Sequence, residues 1–145
     1  MKYAMTAMLV AFSTPAWAED MMKSSPLSVS ETIDGLVAAV EGAGAKVFAR
    51  VDHAAGATSV GKDIADAQLL IFGNPALGTL AMEQDLRAGL VLPLRVLAYR
   101  DADGTTQMRW SPAEDMFAGL DVSEDVMAKV NGALNGLTDK AMSAN

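Results

Sequence analysis

The sequence predicts an α+β fold: one compact domain in the order strand, helix, four strands, helix, with a sheet packed by two main helices. Three observations support this prediction. An amphipathic helical pattern follows a short β-like stretch, several strand-like stretches then succeed one another, and a second helical pattern closes the chain. Sequential strands joined by a tight hairpin favour an α+β sandwich over a doubly wound fold.

The composition excludes several classes of protein. The chain has 145 residues, of which 51% are hydrophobic and 20% charged, with no cysteine and a formal charge of −7. A disordered chain would be poorer in apolar residues. The absence of cysteine excludes disulfides, thiolate metal sites, a cysteine nucleophile and covalent c-type heme. One histidine, His53, excludes a zinc site built from several histidines of one chain. The acidic balance argues against nucleic acid as a partner.

The first eighteen residues have the pattern of a signal peptide. Residues 3–12 form a charge-free, mostly apolar run, and small residues follow at Ala16 and Ala18. This pattern predicts cleavage between Ala18 and Glu19 and a periplasmic protein. The alternative, a membrane anchor, is disfavoured because so short a run does not cross a bilayer core of about 30 Å. No membrane span is predicted in the mature chain.

The remaining chain has the size of one domain. We predict a flexible leader over residues 19–25, a single globular domain over 26–140 and a tail over 141–145. A chain of this length buries enough surface for one core and leaves no room for two.

The first helix has the clearest local signals. Ser28, with Glu31 three residues later, forms a capping-box pattern. The helical spacing i, i+3, i+4, i+7 then recurs at the apolar residues Ile33, Leu36, Val37 and Val40. Gly42 and Gly44 end the helix, and residues 26–29 before it are predicted as the first strand.

The other elements are predicted from alternation and turn residues. Residues 46–52 place Val47, Ala49 and Val51 on one face and Phe48, Arg50 and Asp52 on the other. Further strands are predicted over 68–72, 92–100 and 105–110, the last two joined by a turn at 101–104. Helical segments are predicted over 54–61, 77–87, 112–120 and from Ser123 onwards. The predicted core contains Leu36, Val37, Val51, Leu70, Ile71, Leu94, Val96 and Leu97.

Three stretches together resemble a known family. They are Val-Phe-Ala-Arg-Val-Asp-His-Ala-Ala-Gly-Ala at 47–57, Leu-Ile-Phe-Gly-Asn-Pro at 70–75, and Leu-Pro-Leu-Arg-Val-Leu at 92–97 followed by Asp-Gly at 103–104. With Glu31-Thr32 opening the first helix, the set resembles the domain-of-unknown-function 302 family over residues 26–140. The resemblance implies the predicted fold, a shape grouped with TATA-binding-protein-like folds without their DNA function, and a dimer. No established reaction comes with it.

The sequence departs from that family at two places. Val91 stands where the family usually has Asp before its Leu-Pro pair. Residues 78–82 read Gly-Thr-Leu-Ala-Met where the family often has Gly-Thr-Pro-Leu-Met. If the missing acid belonged to a site, that site is altered in this chain.

Two short motifs are candidates for a ligand site. Asp52 and His53 follow a strand and form a pair suited to general-base chemistry or to a single metal ligand. The alternative is that Asp52 caps the next turn and His53 hydrogen-bonds locally. Gly73 and Asn74 follow the next strand, where Asn74 is able to offer its amide to a ligand; the alternative is a simple turn. If both motifs lie at the same end of the sheet, they form a pocket for an anion or carboxylate.

The methionines suggest a weaker possibility, since thioethers suit Cu(I). After the signal peptide they are Met21, Met22, Met82, Met108, Met116, Met127 and Met142. Their irregular spacing favours packing over metal binding.

The sequence contains no recognisable catalytic motif. The leading hypothesis is therefore a non-catalytic periplasmic binding or interaction domain, homodimeric and without a cofactor. The alternatives are a small-molecule or metal-linked enzyme that uses Asp52, His53 and Asn74, and a copper or heme carrier.

Overall fold

The computed structural model describes residues 20–143. The strands are β1 (Met21–Ser25), β2 (Lys46–Asp52), β3 (Ala67–Gly73), β4 (Leu94–Arg100) and β5 (Thr106–Trp110). The helices are α1 (Val29–Gly42), α2 (His53–Ser59), α3 (Pro75–Gln84), α4 (Ala113–Met116) and α5 (Glu124–Ser143), with a 3-10 helix at Leu86–Leu90. The predicted signal peptide lies outside the described residues.

All five strands form one antiparallel sheet in the order β1-β5-β4-β3-β2. The helices α1 and α5 pack against each other, and α1 also contacts β2, β3 and β4. The predicted α+β fold and its strand–helix–four-strand–helix order are thereby confirmed.

The first strand differs from the prediction. It spans Met21–Ser25, inside the segment predicted to be a flexible leader, and not residues 26–29. Its five residues pair with β5. The Lys23 Nζ anchors the strand to α5, donating to Thr138 Oγ1 at 2.9 Å and to Asp139 Oδ1 at 2.7 Å. Pro26 follows the strand and lacks an N–H for the sheet.

Helix α1 begins as its sequence predicts. The Ser28 N–H donates to Glu31 Oε2 at 2.9 Å, and the Glu31 N–H donates to Ser28 Oγ at 3.3 Å. Hydrogen bonds from Ser28 hold the pKa of Glu31 below its ordinary value. Beyond the helix Gly44 adopts a φ of +73°, which favours glycine.

The last helix is longer than predicted. It continues to Ser143, and Ala141 is fully buried, so residues 141–143 belong to the domain and not to a tail. Gly35 of α1 makes room for this part of α5, because a Cβ at that position would collide with the Ala141 carbonyl oxygen. The missing side chain lets the last turns of α5 lie directly on α1.

The core lies between one face of the sheet and the helices. Of the predicted core, Leu36, Leu70, Leu94 and Val96 are buried and Val37 packs against them. The prediction is wrong for Val51, which is 36% exposed, and for Ile71 and Leu97, which are half-buried. Successive strand residues point to opposite faces, and α1 and α5 cover only one of them.

Within residues 20–143, no helix combines the length and the apolar composition that crossing a bilayer requires.

Candidate functional site

The two candidate motifs lie at opposite ends of the sheet. Strands β2 and β3 are antiparallel, and Asp52 pairs with Gln68 while Lys46 pairs with Gly73. The end of β2 and the end of β3 are therefore separated by the length of a strand, about 20 Å. The predicted common pocket of His53 and Asn74 is wrong, and so is an enzyme site that would need both.

Asp52 has the capping role that was the alternative interpretation. Its Oδ1 accepts a hydrogen bond from the Ala55 N–H at 2.9 Å and caps α2. His53 is exposed, and its imidazole makes no hydrogen bond to the described part of the chain. Among the described residues, Asp52 and His53 therefore show a capping role and an exposed imidazole, and no arrangement typical of a ligand site.

Asn74 combines a cap with a position on a cavity. Its Oδ1 accepts from the Ala76 N–H at 3.0 Å and so caps α3, with Pro75 in the first turn of the helix. Its amide Nδ2 donates to no residue among 20–143. Gly73 and Asn74 line the cavity described next.

That cavity has a volume of about 290 Å³ and an almost entirely apolar lining. Four buried core residues line it: Ala81, Leu94, Phe117 and Val130. Helix α3 lines it through Leu77 and Met82, among others. Asn74 and Thr79 contribute side-chain polar groups, and no charged residue takes part. The arrangement accommodates an apolar body and offers two polar side chains to orient it.

A β-bulge places Phe48 at this cavity. Val47 pairs with Phe72 and Ala49 pairs with Ile71, so Phe48 is an extra residue between two rungs. Its side chain is 52% exposed. A Cβ on Gly73 would come within 3.3 Å of the Phe48 ring, so the glycine leaves room for that ring. The even alternation predicted over residues 46–52 gave no signal of the bulge.

Two polar residues fix the end of α3. Asp85 accepts from Arg87 at 2.6 Å and from the Asp121 N–H at 3.1 Å. The Arg87 side chain, followed by the Asp121 N–H, holds the pKa of Asp85 well below its ordinary value. Gln84 accepts from the Ser123 N–H at 2.6 Å. These contacts bind the helix that lines the cavity to the segment before α5, and no sequence motif indicated them.

A second cavity of about 220 Å³ lies on the other side of Asn74. It shares Asn74, Leu77 and Leu94 with the first, and its other lining residues come from α5 and from Ala43, Ala45 and Phe72. Lys140 is the charged residue in its lining.

Three of the methionines lie in different surroundings. Met82 lines the first cavity, Met108 is buried in the core, and Met22 is exposed on β1. The part of the chain that the structure describes contains no group of three or more His, Asp or Glu side chains placed to hold a metal. Val91, where the resemblance implied an acid, is half-buried beside the core and precedes the cavity residue Leu92.

Comparison with solved structures supports the fold. The crystal structure of an uncharacterised conserved DUF302 protein from Bacillus stearothermophilus matches with a TM-score of 0.74 and 18% identity. The match covers 84% of this chain and 97% of that one. At this identity the likeness concerns the fold alone.

Among curated proteins, the chain is similar to part of two larger ones. It is 46% identical over 77 residues to proteins named fluoride-specific ion channel FluC 1 from Brucella suis and Brucella abortus. The matched segment is 53% of this chain but only 30% and 28% of those proteins. The similarity therefore concerns less than a third of each channel protein.

The family assignment rests on a match over nearly the whole chain. Residues 11–141 match the domain of unknown function DUF302. This range includes Gly73 and Asn74, which line the first cavity. The chain belongs to the DUF302 family.

Proposed function

We propose that this chain is an exported, homodimeric, non-catalytic binding domain that takes up a small neutral apolar molecule. The observation that carries the proposal is the cavity of about 290 Å³ beside Asn74. Largely preformed, mainly apolar cavities with a few polar groups are the usual form of small-molecule sites.

The lining determines the class of ligand. Leu77, Met82, Leu92 and Phe117 favour an aromatic or aliphatic body. The volume is close to the lower end of the range for ligand cavities, about 300 Å³, which favours a molecule of one or two rings. No charged side chain of the described residues lines the cavity, and a charged ligand would lose its hydration without compensation.

A glycine in the cavity wall allows a direct test. A Cβ at Gly78 would lie 3.7 Å from Leu92 Cδ1, an ordinary van der Waals contact. Gly78→Leu therefore extends a side chain into the cavity without forcing the backbone apart. We expect it to abolish the fluorescence enhancement of the neutral two-ring probe prodan. We expect Gly78→Leu to keep the stability of the fold, since glycine inside a helix costs about 1 kcal/mol relative to alanine.

Two variants serve as controls. Gly56→Leu makes the same substitution on α2, outside both cavities, where a Cβ meets nothing within 4 Å. His53→Gln removes the imidazole at the far end of the sheet. Both keep full probe binding. The proposal is overturned if the wild type does not bind the probe, or if Gly78→Leu binds it as well as these controls do.

Export is supported by the signal-peptide pattern of the first eighteen residues. N-terminal sequencing of the protein from the periplasm is expected to begin at Glu19. A periplasmic protein that starts at Met1 contradicts the cleavage site.

The partial similarity to fluoride channels supports a second candidate function, a domain that works beside such a channel. The expected result is that deleting this chain from its source organism increases growth inhibition by fluoride but not by chloride. Equal growth of the deletion strain and the parent in fluoride removes this candidate.

A further inference from the structure

The sheet has a second apolar face that α1 and α5 leave uncovered, here called the open face. It carries Val51 on β2, Leu69 and Ile71 on β3, and Leu97 and Tyr99 on β4. In the sheet register Leu69 pairs with both Val51 and Leu97, so these three side chains form one row. None of the five belongs to the buried core or packs against it.

Strand β3 is apolar on both sides. Leu70 and Phe72 are buried under the helices, whereas Leu69 and Ile71 alternate with them on the open face and are half-buried. A continuous apolar run of this kind is typical of strands covered on both faces. A contiguous apolar surface of this type marks an interaction site.

The open face is divided into an apolar half and a polar half. Strands β2, β3 and β4 contribute the apolar residues. Strand β5 contributes Gln107, which accepts from Ser24 Oγ of β1 at 2.9 Å, and Arg109, which pairs with Asp20 at 2.9 Å. Met22 of β1, 56% exposed, is the apolar side chain of this mainly polar half. An occupant that covers the whole face must match both halves.

Charge is distributed unevenly between the two ends of the sheet. One end carries Lys46 and Arg95, neither of which forms an ion pair with a described residue. The other end carries Asp101 and Asp103. Asp101 alternates with Tyr99 and so lies on the open face, where its Oδ2 accepts from Gln107 Nε2 at 3.0 Å. The sheet is basic at one end and acidic at the other.

We propose that a second copy of this chain covers the open face, with the basic end of each sheet over the acidic end of the other. The twofold axis lies between the two sheets and runs perpendicular to the strands. This inference locates the homodimer of the proposed function and therefore rests on it.

The symmetry selects this axis. Rotation about an axis perpendicular to the strands places the apolar half over the apolar half and exchanges the charged ends. Arg95 then faces Asp101 of the partner subunit, because both residues lie on the open face of the central strand β4. Rotation about an axis parallel to the strands instead places the apolar half over the polar half and Arg95 near the partner's Arg95. A twofold interface must be complementary to itself, and only the first axis makes this face so.

The area is suitable for a dimer. Five strands about 4.8 Å apart and about 20 Å long give a face of roughly 24 by 20 Å. Side-chain relief raises its accessible area above this projection, towards the roughly 800 Å² that each partner contributes to a standard interface. Face-to-face sheets pack aligned within about 30°.

The first test places a charge in the apolar half of the open face. Ile71→Asp is expected to raise the dimer dissociation constant by roughly a hundredfold or more, because each dimer buries the change twice. Sedimentation equilibrium of the chain from Glu19 onwards measures it, with circular dichroism as the check of folding. Leu90→Asp, at a residue 89% exposed outside the sheet, is the matched control and leaves the dimer intact.

The second test uses the charges and does not alter the apolar row. Arg95→Glu is expected to weaken the dimer, and adding Asp101→Arg to the same chain restores it. Lys129→Glu, which makes the same change of charge on α5, has no effect. Recovery in the double variant identifies the orientation, since loss of folding would not be reversed by a second charge change.

The outcomes separate the two proposals. A monomeric wild type at all concentrations overturns both the homodimer and this interface. A dimer that persists in Ile71→Asp and in Arg95→Glu leaves the homodimer standing and overturns the open face as its interface. A dimer that Ile71→Asp dissociates, but that Arg95→Glu does not weaken, overturns the proposed orientation.

Discussion

The two faces of the sheet consist of alternate residues of the same strands and differ in what covers them. Leu70 and Val96, under the helices, are fully buried, whereas their neighbours Leu69 and Leu97 are half-buried on the open face. Leucine occurs on both faces of β3, so apolar composition alone does not separate them. An apolar strand pattern therefore predicts that a face is buried, but it does not say whether the chain itself or a partner covers that face.

The largest expected difference between the faces is in stability. Leu70→Ala is expected to lower the free energy of unfolding by about 2–4 kcal/mol, because it leaves a cavity in the packed core. Leu69→Ala is expected to cost about 1 kcal/mol or less, because its neighbours on the open face are few. Urea denaturation in the monomeric Ile71→Asp background measures both without a contribution from association. Equal losses of unfolding free energy in Leu70→Ala and Leu69→Ala contradict the expected difference between the two faces.

A smaller difference is expected between adjacent residues of β1. Lys23 reaches α5 from the helix side, and Lys23→Met is expected to cost about 1–2 kcal/mol, since hydrogen bonds to charged groups are among the stronger ones. Met22 is 56% exposed on the other side, and Met22→Gln is expected to change the stability by less than about 0.5 kcal/mol. Thermal unfolding of the two variants in the same background distinguishes them. A neutral Lys23→Met would mean that strand pairing alone holds β1.

The smallest effect concerns pH and the helix side of the molecule. Arg87 and the Asp121 N–H hold the pKa of Asp85 below its ordinary value of 3.8. Ionised Asp85 therefore stabilises the fold above that pH, and the stabilisation is lost as the pH falls below it. Asp85→Asn removes this contribution. We expect the stability difference between the wild type and Asp85→Asn, measured in urea, to shrink between about pH 5 and about pH 3. A constant difference contradicts this role for Asp85.

Local patterns predicted those parts of the fold that depend on near neighbours. The capping box of Ser28 and Glu31 involves residues three apart, and the hairpin turn ends at Gly104 with a φ of +86°. The first strand was misplaced because its partners lie far along the chain. Lys23 bonds Thr138, and the strand itself pairs with β5.

The candidate site could be predicted only in part for a similar reason. Asn74 lines a cavity, but His53 lies at the other end of the sheet because β2 and β3 are antiparallel. The segment between them, which contains α2, was compatible with either direction. The Phe48 bulge and the Asp85 contacts leave no periodic signal, since each depends on residues brought together by the finished fold.

The pairing of β1 with β5 has a consequence for the order of assembly. During synthesis, Met21–Ser25 leaves the ribosome before α1 and strands β2 to β4, whereas its strand partner and the helix that receives Lys23 follow them. Domains generally fold as units during synthesis, and contacts between distant residues form slowly. The β1 edge of the sheet therefore closes only after β5 and α5 have been synthesised, so the emerging polypeptide keeps an unpaired first strand until then.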